Sequence, residues 1–270
     1  MTSPTSDSDL LAAFDRQVRQ SLVPPQAGWR TERVGPVIRV TPPPESEHGR
    51  FVEWSDLDES TADGAIAETV RYYQGFDKRF EWKTYGYDRP VDLPDRLVRA
   101  GFVAEDPESL VIGPVESVVA ACATAPAPTG VTIRPLASDA DWAGIGAVHQ
   151  EVWGRDSDHW VDGLRDEVAA VPETIDVLVA DAGGVIVSAG WVRFHEGTDF
   201  ASLWGGTTLP HWRRRGIYRA LVAHRADLAV RRGFRYLQVD ASPDSRPILE
   251  RLGLRVLTTT TPYVWTPPEP

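Results

Sequence analysis

The segment from Thr207 to Leu254 constrains the fold of this chain more than any other. It reads in order as a strand end at Thr207-Thr208-Leu209, a basic loop through Gly216, an amphipathic helix, a stop at Gly233 and a strand from Arg235 to Asp240. A short helix from Pro247 to Leu252, a second stop at Gly253 and a last strand from Arg255 to Trp265 complete the run. From Ile217 onward, Ile217, Ala220, Leu221, His224 and Leu228 recur at helical spacing and give the helix one face to bury. Such a succession makes the second half an α/β unit.

The loop carries the chemistry. Four of the seven residues from Arg213 to Arg219 are arginine, in a chain whose net charge is -11 and whose lysines are Lys78 and Lys83 alone. Gly216 lets the backbone approach a ligand without a Cβ in the way. A helix N-terminus there presents free N–H groups and a positive dipole end, to which the arginines add charge-assisted contacts. The combination suits a multiply charged phosphate compound. It is not a Walker loop, since no Gly-Lys-Ser/Thr follows, nor a dinucleotide fingerprint, which needs two further glycines.

The first half is less regular. A helix is expected from Leu10 to Leu22, one strand across Trp29 to Val40, and a second from Phe51 to Trp54. A helix capped by Thr61 or Asp63 runs to Gln74, followed by a strand from Phe80 to Tyr85, a helix from Pro94 and a strand from Val103 to Ile112. The small, uncharged, proline-bearing stretch up to Gly130 suits a linker or a loosely packed connection. The expected organisation is a first domain over 1–115, a linker over 116–130 and a second domain over 131–267. A faint repeat joins the halves: Gly75-Phe76, a strand, then Leu97-Val98-Arg99-Ala100-Gly101 parallels Gly233-Phe234, a strand, then Leu249-Glu250-Arg251-Leu252-Gly253. The first copy has no basic glycine loop before its helix.

Composition narrows the remaining classes. With 42% hydrophobic and 25% charged residues the chain is globular rather than disordered. Its acidic balance argues against nucleic acid or an anionic membrane as the main partner. A lone cysteine, Cys122, leaves no intramolecular disulfide and no Cys/His metal cluster, so no metal is expected. No apolar run reaches 18 residues and no signal-peptide pattern opens the sequence, so the expected location is the cytoplasm. Oligomeric state is not written in the sequence.

Taken together, the loop and the Leu-Gly-Leu turn resemble the GCN5-related N-acetyltransferases over about Val131 to Trp265. That family's signature, Arg/Gln-x-x-Gly-x-Gly/Ala, is matched by Arg213-Arg214-Arg215-Gly216-Ile217-Tyr218. The resemblance implies a mixed, mostly antiparallel α/β sheet, splayed and flanked by helices, with the first half a degenerate second copy as in tandem acetyltransferases. It implies that the loop amides from Arg213 to Arg219 (Arg213, Arg214, Arg215, Gly216, Ile217, Tyr218 and Arg219) hold the pyrophosphate of acetyl-CoA. Thr207, Thr208 and Leu209 would then hydrogen-bond the pantetheine and acetyl group. Two positions depart from the family: Tyr218 stands where a second small residue is usual, and Leu249 stands where a tyrosine acid is frequent.

Direct transfer to an amine needs a base within hydrogen-bond reach or one water away. Asp240, at its strand end, is the first candidate, against a capping role in Asp240-Ala241-Ser242-Pro243. His195, Glu196 and Asp199 lie in a turn, and His224 on the apolar helix face reads as a packed histidine. Trp142, Trp153, Trp160 and Trp191 read as core, with Trp153 or Trp160 able to line an acceptor pocket. The leading expectation is an acetyl-CoA-dependent N-acetyltransferase acting on a small-molecule amine or a peptide N-terminus. The alternative is a non-catalytic acyl-CoA-binding sensor or regulatory module, which Leu249 favours.

Overall fold

A computed structural model describes residues 6–268, apart from residues 27, 47–48, 124–126 and 155–157. It resolves into two compact units. Unit 1 comprises Met1–Leu110, Asp240–Pro243 and Val256–Pro270, and unit 2 comprises Val111–Val239 and Asp244–Arg255.

In unit 1, Ser6 opens α1 (Asp7–Phe14) by accepting the Asp9 amide at 3.1 Å. The expected helix to Leu22 instead widens into a π-helical turn at Asp15–Arg19. The run Trp29 to Val40, expected as one strand, is a hairpin of β1 (Arg30–Val34) and β2 (Val37–Thr41). Gly35, at φ +55°, supplies the reversal that the apolar pattern hides. β3 (Phe51–Ser55) pairs antiparallel with β2 and parallel with β4 (Phe80–Tyr85), the connection running through α2 (Ala62–Gln74). After β4 come α3 (Leu93–Arg99) and β5 (Val103–Ala104). The far edge of β4 takes β12 (Arg255–Trp265), antiparallel from Thr260↔Tyr85 to Trp265↔Phe80. Ile66, Tyr73, Phe80, Trp82, Leu97 and Trp265 form the core of this unit. Tyr73, fully buried, donates its hydroxyl to the Val40 and Phe51 carbonyls at 2.9 and 3.1 Å, so the core carries no orphaned phenol.

Unit 2 holds five strands in the order β7 (Thr132–Pro135), β8 (Ile175–Asp181), β9 (Ile186–Phe194), β10 (Phe200–Thr208) and β11 (Tyr236–Ala241), with β6 (Glu108–Pro114) beside β11. β7 to β10 are antiparallel, and β10 and β11 are parallel through α7 (Ile217–Arg231). The sheet is flanked by α4 (Val115–Ala123), α5 (Asp139–Trp153) and α6 (Asp158–Ala170), with α8 (Arg246–Arg251) after β11. Ser138 and Asp141 form a reciprocal capping box on α5.

These units are drawn differently from the expected boundaries of 1–115 and 131–267. Unit 2 begins at Val111, and β12 from Val256 counts with unit 1. Strand pairing is non-local, so nothing in the sequence of β12 itself names its neighbour. The stretch expected as a linker over 116–130 begins inside α4, where Val115 and Val118 are buried and the helix packs on α7. Its Val-Ala-Cys residues are short and apolar without being loop-forming, and residues 124–126 lie outside the described part. Among the described residues no helix is long and apolar enough to cross a membrane.

Candidate functional site

The site is built where two parallel strands stop pairing. The β10–β11 register covers Phe200↔Tyr236, Ala201↔Leu237 and Ser202↔Gln238 and goes no further, although β10 continues to Thr208. Backbone groups of β10 beyond Ser202 therefore face an opening rather than a partner strand. On its other edge β10 is bulged against β9 between Gly205 and Thr207. Gly205 and Gly206 sit at φ +71° and +75°, where a side chain is strained. A Cβ on Gly205 would lie 2.4 Å from the Trp191 ring, and one on Gly206 2.6 Å from the Tyr218 ring. The room that Tyr218 needs is thus supplied by Gly206.

Beyond the bulge, Ser188 on β9 donates its hydroxyl to the Thr207 carbonyl at 2.7 Å and meets the Thr208 hydroxyl at 2.7 Å. The Leu209 amide is already spent on the Val187 carbonyl at 3.0 Å. Of the three strand-end positions singled out from sequence, Thr207 is half-buried while Thr208 and Leu209 are buried.

A 3₁₀ turn, Pro210–Trp212, leads into the arginine loop. Arg213 Nε donates to the Thr208 carbonyl at 3.1 Å, and the Arg215 guanidinium lies 4.6 Å from the centre of the Trp212 ring. Arg214 holds φ +63° and Gly216 φ +80°, which wraps the backbone so that α7 starts with no side-chain cap. The amides from Arg214 to Tyr218 find no acceptor among the described residues. Arg213, Arg214 and Arg215 are exposed, and no carboxylate among the described residues pairs with them. Arg219 is half-buried, with Nη2 lying 3.2 Å from where a Gly216 Cβ would be. Ile217 is buried and anchors the first turn. Uncapped amides beneath unpaired arginines form a cradle for an anion with several charges, such as a pyrophosphate.

The corresponding helix start in unit 1 is arranged in the opposite sense. At α2, the Asp58 carboxylate accepts the Ser60 and Thr61 amides at 2.8 and 2.9 Å and both hydroxyls at 2.7 and 2.9 Å. Those bonds, the Ser60 hydroxyl first and then Thr61, hold the Asp58 carboxyl down to about 2. The approach to that helix thus carries an anion supplied by the chain itself, on the amides of Ser60 and Thr61 just before α2.

Sequence reasoning missed Arg225. The expected inward face of α7 carried His224, but His224 is exposed and Arg225, one residue on, is 1% exposed. Arg225 Nη1 donates to the Trp191 carbonyl at 3.2 Å and the Trp204 carbonyl at 3.0 Å, and Nε to Leu221 at 3.1 Å, while Nη2 has no partner. It holds β9 and β10 together at the bulge. Burial lowers its guanidinium to about 10. An arginine is written off as solvent-facing from sequence, and only the carbonyls it meets reveal otherwise.

The other candidates are spread out. The Asp240 carboxylate is not a cap; it lies in unit 1, paired with Lys83 Nζ at 3.0 Å and reached by the Thr260 hydroxyl at 3.5 Å. Leu249 is fully buried in α8. His195 is withdrawn from water, which lowers its imidazole to about 4, and its Nε2 meets Ser202 Oγ at 3.0 Å. Trp142 and Trp191 are core, Trp160 packs beside Trp191 with ring centres 5.4 Å apart, and Trp153 is 57% exposed.

Residues 67–254 match the family model described as the Acetyltransferase (GNAT) family. A sequence search of curated proteins finds no match. Among solved structures, the chain is similar to a GCN5-related N-acetyltransferase from Kribbella flavida, at 15% identity and TM-score 0.66, over 97% of this chain and 96% of that one. It is also similar to a conserved protein of unknown function from Staphylococcus epidermidis ATCC 12228, at 11% identity and TM-score 0.67, covering 94% and 98%. A third is a tandem GNAT protein from the clavulanic acid biosynthesis pathway, at 12% identity and TM-score 0.59, covering 98% and 89%. At these identities the likeness is one of fold.

Proposed function

Because the chain belongs to the GNAT acetyltransferase family, we propose that it moves an acetyl group from acetyl-CoA to a primary amine by direct attack. The observation that carries this reading is the uncapped start of α7, with free amides from Arg214 to Tyr218 under three unpaired arginines. In it, the loop from Arg213 to Arg219 takes the pyrophosphate, and the opening where β10 leaves β11 takes the pantetheine arm. Thr207 and its neighbours on β10 direct the thioester. The amine lone pair attacks the thioester carbonyl carbon, a C–N bond forms as the C–S bond breaks, CoA leaves as the thiolate, and solvent takes the amine's proton and returns one to the sulfur. Bulged glycines at Gly205 and Gly206 bring the β10 backbone close to the reacting carbonyl, where N–H groups can oppose its developing charge.

Unit 1 fits a degenerate copy of the same unit. Its β3–α2–β4 connection is parallel like β10–α7–β11, and its pairing likewise ends early, at Val52↔Trp82. With the Asp58 carboxylate on the Ser60 and Thr61 amides before α2, and no arginine loop there, we assign the cofactor to unit 2 alone. Asp240 stays a proposal for the base, with its Lys83 ion pair as the competing structural role.

A second reading, a non-catalytic acyl-CoA sensor, rests on one observation: Leu249 is buried and offers no proton to a leaving thiolate. Incubating the pure protein with acetyl-CoA, an amine panel and a thiol reagent separates the two. Amine-dependent release of CoA supports transfer. Thermal stabilisation by acetyl-CoA without CoA release on any amine supports the sensor, and neither response contradicts both.

A further inference from the structure

The bulge of β10 is ringed by tryptophans. Trp191 on β9 packs against Gly205, Trp160 on α6 packs on Trp191, and Trp153 at the end of α5 donates Nε1 to the Thr207 hydroxyl at 3.4 Å. Trp204, on β10 itself, donates Nε1 to Ser202 at 2.7 Å. Two of the four are open to solvent: Trp153 is 57% and Trp204 41% exposed. Large aromatic rings left exposed beside a strand opening mark a binding surface rather than a core. A cavity of about 10 Å³, the size of one water, lies between His149, Trp160, Trp191, Gly205 and Thr207, and the buried Trp191 N–H has no partner among the described residues.

The arginine beside this surface is already paired. Arg193, whose guanidinium lies 4.6 Å from the Trp204 ring centre, is bound by Glu167 through Nε and Nη2 at 2.6 and 2.5 Å. No acidic residue lines the cavity. Among the described residues, a polycationic acceptor would find ring faces at this cavity and no carboxylate on its wall.

We propose that this tryptophan surface is the acceptor site, and that the acceptor is a primary amine carried on a flat aromatic ring, which stacks on Trp153 and Trp204. This deepens the acetyltransferase reading and rests on it. The nitrogen attacks the acetyl carbonyl carbon at the β10 bulge, the C–N bond forms, C–S breaks, and the proton lost by the nitrogen is passed through water to the sulfur, so that CoA leaves as the thiol.

The test compares phenethylamine and tryptamine with hexylamine, spermidine and kanamycin, using the full chain, acetyl-CoA and detection of free CoA. Aromatic amines are expected to give the highest kcat/KM. Trp153→Ala and Trp204→Ala, both at exposed positions, are each expected to raise KM for the aromatic amine roughly threefold to tenfold, and Trp204→Ala, whose indole bonds Ser202 rather than Thr207, to leave KM for acetyl-CoA unchanged. Preference for spermidine or kanamycin overturns the aromatic acceptor and leaves acetyl transfer intact. If no amine is turned over, saturable quenching of tryptophan fluorescence by tryptamine's non-fluorescent analogue phenethylamine, lost in Trp204→Ala, supports the site, and its absence overturns it. Failure of acetyl-CoA to stabilise the protein is a failure of the acetyltransferase reading itself.

Discussion

Replacing Arg225 by methionine is predicted to leave stability nearly unchanged and to impair the site. The guanidinium is 1% exposed, and no carboxylate compensates it; burial lowers it from 12.5 to about 10. A shift of that size corresponds to about 3 kcal/mol against the charged form, at about 1.4 kcal/mol per unit. Arg225→Met removes that penalty and keeps an unbranched apolar chain in the space. It also strips a donor from the Trp191 and Trp204 carbonyls, at about 1.5 kcal/mol each. The two effects nearly cancel, so the melting temperature is expected to move by only a few degrees. The bulge, however, loses the side chain that ties β9 to β10, and acetyl-CoA turnover is expected to fall at least tenfold. Differential scanning calorimetry beside the CoA-release assay measures both. A large loss of melting temperature would refute the argument, because it would make Arg225 a net stabiliser despite its unpaired charge. Unchanged turnover would refute its part in shaping the site.

Two further outcomes follow from the geometry. Asp240→Asn is expected to lower kcat at least tenfold without changing KM for acetyl-CoA if Asp240 takes the amine proton; unchanged kcat in a steady-state assay removes it from that role. Glu53 is pushed up to about 7, chiefly by withdrawal from water, against the opposing pull of Arg19 and Lys83. Its folded value lies above its ordinary 4.5, so protonation stabilises the fold fully below about pH 4.5, and that stabilisation is lost as pH rises through 7. The melting temperature is therefore expected to drop between pH 5 and pH 8, and Glu53→Gln to flatten part of that drop. An identical pH profile in the variant would contradict it.

The arginine loop was legible because its information is local. Gly216 at φ +80° and arginines at fixed offsets before a helix are set by a few adjacent residues. The hairpin of β1 and β2 was not, because polar Arg30 to Arg33 show no inward face and the Gly35-Pro36 turn sits inside a run read as one strand. α4 was hidden because its mostly short, uncharged residues run straight into a proline-bearing stretch, and only the burial of Val115 and Val118 sets it apart. β12 and Arg225 show the deeper limit. Which strand β12 joins, and whether a guanidinium on α7 meets water or two carbonyls, depend on residues far away in sequence. The tryptophans at 153, 160, 191 and 204 likewise converge only once β9 and β10 pair with α5 and α6 packed on them.

The most direct test of the central claim is calorimetric titration of acetyl-CoA into the parent protein and into Gly216→Glu. A side chain at φ +80° is strained by about 1–2 kcal/mol, so circular dichroism must first show the variant folded. Its Cβ would lie 3.2 Å from Arg219 Nη2, placing a carboxylate where the pyrophosphate is expected and drawing that arginine away. Losing one charged contact is worth about 1.5–3 kcal/mol, so the account predicts saturable binding by the parent and affinity at least about tenfold weaker in the variant. Equal affinity in the two proteins, or no binding by the parent, would contradict it.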